Sequence, residues 1–119
     1  MRFPYVERTD CVVVLVTCPN IAVAKRIASS LVKNRLAACV NIVPHVESVF
    51  SWKGKIERCQ EALLVMKTAA VRFDALKQAV RKLHPYDVPE VIALPIRAGH
   101  VAYLDWVLAS TASPTRRSA

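Results

Sequence analysis

Glycine is nearly absent from this chain of 119 residues: only Gly54 and Gly99 are present. That excludes the glycine-rich loops that cradle phosphates in P-loop and dinucleotide-binding proteins. Gly-x-Ser-x-Gly, His-Glu-x-x-His and EF-hand spacings are missing as well, so no catalytic signature is present and no enzyme is expected. Aromatic residues are scarce at 7%. No apolar run approaches the ~20 residues that span a bilayer; the longest is Cys11 to Val16, and no membrane association is expected. The opening residues Met1 to Arg8 lack a basic region followed by an apolar stretch, which makes a cytoplasmic location the expectation. The four cysteines, Cys11, Cys18, Cys39 and Cys59, contain no Cys-x-x-Cys pair. In a reducing compartment they stay thiols and pack as small apolar residues.

Apolar residues make up 54% of the chain and charged ones 22%, a balance that folds as one globular domain. The net charge of +8 is spread along the sequence, with Arg116-Arg117 together near the end. Scattered cations favour non-specific attraction to anions over a specific nucleic-acid partner.

Residues 11–18 are apolar and β-branched, which predicts a strand buried on both faces. Pro19 ends it and Asn20 can cap a helix, with Ala24, Ile27, Ala28 and Leu31 at helical spacing. Residues 37–52 read as a long second strand, Lys53-Gly54-Lys55 as a tight turn, and Ile56 to Lys67 as a third strand. Thr68 can cap a second helix with Phe73, Leu76, Val80 and Leu83 inward, and Pro85 stops it. Residues 91–96 form a fourth strand, and Val101 to Ala109 a last helix burying Leu104 and Leu108. The order β-α-β-β-α-β-α is an α+β, ferredoxin-like split βαβ sandwich. Pro44 and Pro95 put strands 2 and 4 on the edges, leaving strands 1 and 3 central. Residues 1–10 are read as an N-terminal extension, 11–110 as the domain and 111–119 as a disordered tail. A hairpin this long, with exposed edges and Val46, Val49, Phe50, Trp52 and Ile56 to bury, predicts pairing with neighbouring subunits. An RNA-recognition module shares this element order but needs stacked aromatics on its third strand, where none occurs.

Chemistry concentrates in His84-Pro85-Tyr86-Asp87-Val88-Pro89-Glu90. Imidazole suits copper and zinc, and carboxylates suit harder ions. The same imidazole could instead satisfy the last helical carbonyls while Tyr86 packs. A Cys39–His84 nucleophile and base would lack an orienting third group.

This run resembles the divalent-cation-tolerance (CutA) family, as do Arg35-Leu36-Ala37-Ala38-Cys39-Val40-Asn41-Ile42, Ser51-Trp52-Lys53-Gly54-Lys55-Ile56 and Glu61 to Thr68, in this order. The resemblance covers residues 11–110. It implies a homotrimer built by edge-to-edge pairing and a role in divalent metal ion tolerance, with copper(II) or a similar cation bound weakly. The family's proposed copper ligands correspond to Val16, Leu83 and His84, of which only His84 can coordinate. Cys18, on the same strand face as Val16 and about 6.6 Å along it, is the candidate second ligand. Cys39 matches the motif, with core filling expected of it. The resemblance also implies an inter-subunit cleft lined by Trp52, Glu61, Lys67, Tyr86, Glu90, Tyr103 and Trp106. Such a cleft suggests an alternative function: a signalling or scaffold trimer binding a small anionic metabolite.

Overall fold

β-Branched residues from Cys11 to Cys18 form the first strand, β1, and the computed structural model describes residues 10–113 around it. Asn20 then caps helix α1 (Ile21–Lys33), its Oδ1 accepting the Val23 N–H at 2.9 Å. A long hairpin follows, β2 (Cys39–Trp52) and β3 (Lys55–Ala69), then a 3₁₀ turn (Ala70–Arg72) and helix α2 (Phe73–Leu83). Strand β4 (Ile92–Pro95) and helix α3 (Val101–Ser110) complete the described chain. The sheet runs β2-β3-β1-β4 with every pair antiparallel. Strands 1 and 3 are central and both strand prolines lie on edges, as expected.

Helices α1 and α2 cover one face of the sheet. Val14, Val16, Leu64 and Met66 meet Ile27, Leu31, Leu76 and Val80 there, all fully buried. The opposite face is covered at one end only, where Leu104 and Val107 of α3 pack on Cys11. This corrects two expectations. Strand β1 is not buried on both faces: Val13, Leu15 and Thr17 alternate with the buried set and stay half-exposed. In α3, Val107 is buried with Leu104 while Leu108 packs at the edge.

Thr68 does not cap α2. It belongs to β3, its hydroxyl donates to the Leu36 carbonyl at 2.7 Å, and the 3₁₀ turn separates it from a helix without a side-chain cap. The expected tail does not begin at Thr111, which is buried, donates to the Val107 carbonyl at 2.8 Å and accepts the Ala69 N–H at 3.4 Å. Arg35, at φ 59°, sends its guanidinium to the Ala109 and Ala112 carbonyls at 2.9 and 3.0 Å, fixing the end of α3. The remaining tail residues 114–119 and the extension 1–9 lie outside the described residues.

The hairpin turns on Lys53 and Gly54, both at positive φ (51° and 79°). That is the mirror-image two-residue turn whose twist matches paired strands. Pro44 and His45 form a bulge opposite one residue of β3, where a missing N–H costs the ladder nothing. Strand β1 stops pairing at Cys18–Ala62, so the rest of the hairpin projects beyond the sandwich.

Candidate functional site

The pocket at the root of the hairpin is built by Pro85. It ends α2, and His84 adopts extended angles (φ −82°, ψ 136°), turning the following loop across the end of the sheet. His84 is 6% exposed and both ring nitrogens are engaged. Nε2 lies 2.7 Å from the Thr17 carbonyl, and Nδ1 accepts the Tyr86 N–H at 3.1 Å. These partners define the tautomer with hydrogen on Nε2. The ring packs against Tyr86 with centroids 4.7 Å apart, and the Tyr86 hydroxyl donates to Glu61 Oε2 at 3.0 Å. Glu61 itself is 8% exposed.

Around this carboxylate three protons are held tightly. Burial, reinforced by Glu61, pushes the Cys18 thiol up to about 11. Burial, the hydrogen bond to Glu61 and its charge push the Tyr86 phenol up to about 12. The Cys59 thiol is raised by desolvation first and by Glu61 second. Groups whose folded pKa lies above the unfolded value contribute stability that is complete below the unfolded value and disappears as pH rises through the folded one. Cys18 therefore releases its share between its ordinary 9.0 and about 11, and Tyr86 between 10.0 and about 12. Stability from urea titrations is expected to fall across this window, by at most about 3 kcal/mol for Cys18. Cys18→Ala should flatten the lower part and Tyr86→Phe the upper; parallel pH profiles for all three proteins would refute the assignment.

An open groove of about 880 Å³ lies between the hairpin and the loop, with Phe50, Trp52, Glu57, Cys59 and Glu61 on the strands and Tyr86, Asp87 and Glu90 on the loop. Of the seven cleft residues expected from the resemblance, Trp52, Glu61, Tyr86 and Glu90 thus share one pocket. Lys67, Tyr103 and Trp106 do not line it. Glu61 and Lys67 are six residues apart on β3, ~20 Å. Lys67 Nζ donates to Asn41 Oδ1, with the Cys39 thiol 3.8 Å from the same oxygen. Burial, then Cys39, raises the Tyr103 phenol, and Trp106 packs on Tyr103 at 5.6 Å. Cys39 is no core filler: it pairs with Lys67 and is half-buried on the open face. Nor is Cys59 buried, whereas Cys11 and Cys18 are. Asn41, Glu57 and Cys59 were missed as site residues, although the alternation Glu57, Cys59, Glu61 signals one shared strand face.

The metal expectation meets a different geometry. Val16 and Cys18 are fully buried under the helices, and either nitrogen of His84 would have to give up a main-chain bond to coordinate. Among the described residues, no three His, Cys, Asp or Glu side chains form a group that could hold a metal ion.

The family model for the CutA1 divalent ion tolerance protein matches residues 12–110. The chain belongs to the CutA1 divalent ion tolerance family. Protein CutA 1, chloroplastic, of Oryza sativa subsp. japonica is 52% identical over 100 residues, covering 84% of this chain and 56% of that protein. The divalent-cation tolerance protein CutA of Thermus thermophilus is 52% identical over 99 residues, 83% of this chain and 96% of that protein. The chain thus spans about half the length of the rice relative and nearly all of the Thermus one. The solved structure of the divalent cation tolerance protein (Cut A1) from Thermus thermophilus superposes with a TM-score of 0.83 at 50% identity, covering 85% of this chain and 98% of that one. This CutA family member therefore has the ferredoxin-like α+β fold.

Proposed function

We propose that this chain works as a cytosolic homotrimer in divalent cation tolerance, binding copper(II) or a similar cation weakly and no specific nucleic acid. The observation that carries this reading is the family match across residues 12–110. The trimer is supported by the apolar surface left without cover. Ile92 and Leu94 of β4 are exposed on the open sheet face beside half-buried Val13, Leu15, Leu63 and Val65, and Trp52 and Ile56 on the hairpin are 60% and 69% exposed. Uncovered apolar surface of this kind favours pairing with other subunits. The four cysteines, present as separate thiols, fit a reducing compartment.

Weak binding follows from the state of His84. A cation on its ring displaces a hydrogen bond to Thr17 or Tyr86, and the broken bond offsets part of the coordination energy. Calorimetry with copper(II) tests the assignment. His84→Ala should lose most of the uptake, while His45→Ala and His100→Ala bind as the parent does; Cys18, buried under the helices, is not expected to contribute. Circular dichroism confirms that each variant folds. Copper binding unchanged in folded His84→Ala would refute His84 as a ligand. The alternative, a scaffold trimer for a small anionic metabolite, draws its support from the Lys67 ammonium beside Asn41; it finds none in the hairpin pocket, where carboxylates predominate.

A further inference from the structure

We propose that the helical face of this protein is a docking surface for the phosphodiester backbone of duplex nucleic acid, bound without regard to sequence. Charge is the first reason. The 17 Lys and Arg are scattered along the sequence, but the fold gathers six of them on two touching helices: Lys25, Arg26 and Lys33 on α1, and Lys77, Arg81 and Lys82 on α2. The same helices hold only one of the nine acids, Asp74, so they carry five of the eight net positive charges. A domain with an isoelectric point of about 9.7 and its cations gathered on one face has the electrostatic footprint of a nucleic-acid binder.

The second reason is that most of these cations are not neutralised within the chain. Lys77 is the exception: its Nζ lies 3.7 Å from Asp74 and 5.6 Å from the Phe73 ring centroid. Lys25, Arg26, Lys33, Arg81 and Lys82 are exposed, and none of them has an acidic partner among the described residues. Asp87 reaches only the margin of the face, where it shares a groove of about 210 Å³ with Lys77 and Arg81. Assembly leaves this face open. The trimer reading uses the hairpin and the uncovered side of the sheet, whereas α1 and α2 cover the other side, so their outer surface points away from such contacts.

Length and the residues between the cations decide which polyanion. Helices of 13 and 11 residues span ~20 and ~16 Å at 1.5 Å per residue. Duplex nucleic acid carries one charge per ~1.7 Å of its axis, so either helix faces about ten phosphates. The exposed residues between the cations are small or polar, as with Ala22, Ser29, Ala75 and Gln78. Val32, 44% exposed, is the one large apolar side chain exposed on these helices. A helix that lies on a bilayer buries an apolar face with aromatic or leucine residues, and a protein partner needs buried aromatic or arginine anchors; this surface offers neither. Flexible cations spread over two adjacent helices meet phosphates rather than base edges, and phosphate contacts carry no sequence information. Neither His84 nor Cys18 takes part, so this surface is separate from the copper reading.

The test uses the full chain in its native assembly, with a chelator present so that copper plays no role. Fluorescence anisotropy follows binding to labelled DNA duplexes of two unrelated sequences over a series of salt concentrations. Both duplexes should bind alike at ~50 mM salt, with a slope of log affinity against log salt between about −3.5 and −5.5, as about four to six phosphate contacts give. Arg26→Gln with Arg81→Gln should make the slope shallower by about two. Lys33→Gln with Lys82→Gln should do the same, and decides the matter if the first pair does not fold. Lys53→Asn with Lys55→Gln removes equal charge from the hairpin turn, where Asn tolerates the positive φ of Lys53, and should keep the parent slope. An equal change in the hairpin pair, affinities that differ more than about tenfold between the two sequences, or no binding at ~50 mM salt each overturns the proposal. So does binding to phosphatidylserine vesicles under salt at which the duplex is released. Copper uptake and the oligomeric state are measured separately, so failure here leaves those readings untouched.

Discussion

Leu64→Ala is expected to destabilise the protein by about 2–5 kcal/mol, the range for emptying a packed core site. Leu64 is fully buried on the central strand β3, opposite Val16 of β1 and Ile42 of β2. Helices α1 and α2 close over it with Ile27, Leu31, Leu76 and Val80. Strands on both sides and helices above prevent collapse into the space left by the lost methyl groups. Chemical denaturation at fixed protein concentration measures the effect, because the stability of an assembling protein depends on concentration. Val71→Ala, on an exposed side chain of the 3₁₀ turn, should stay within about 0.5 kcal/mol. A cost below about 1 kcal/mol for Leu64→Ala would contradict the placement of the core.

The second large effect concerns assembly. Phe50→Asp puts a carboxylate on the projecting hairpin, opposite Glu57 in the ladder, where the trimer reading requires apolar surface to be buried between subunits. A charge there must be desolvated without a cation, and like charges opposite each other on a strand pair repel. Phe50→Asp is therefore expected to weaken association by about a hundredfold or more, as losses of ~3 kcal/mol at a buried interface position do, with Trp52→Ala smaller. Sedimentation equilibrium across a concentration series reads it out. Wild-type chain that stays a folded monomer at micromolar concentration would refute the trimer, and an unaltered trimer in Phe50→Asp would remove the hairpin from the interface.

The order of the elements, the two central strands, a tight turn around Gly54 and the edge positions of Pro44 and Pro95 were legible from residue chemistry alone. Each rests on a local rule: a β-branched apolar run for β1, the Asn20 cap, a glycine at the turn, a proline that cannot donate to a ladder. The same locality explains the errors. Thr68 is a good cap by type, but its hydroxyl meets the Leu36 carbonyl because β3 continues alongside the start of β2. A wholly apolar β1 reads as doubly covered, yet in this chain only α1 and α2 choose a face and α3 covers one end of the other.

The site depended on tertiary structure still more. The residues of the His84–Glu90 loop were conspicuous by composition, but composition does not say whether an imidazole is free or already bonded at both nitrogens. That state is set by the Thr17 carbonyl, 67 positions away in the chain. The meeting of Glu61 with Tyr86 is likewise a product of where α2 ends over the sheet. Hydrophobic periodicity records which side of an element is buried, a property of neighbouring residues, so it determined the elements. A binding pocket depends on where distant elements end relative to one another, and only the packed fold decides that.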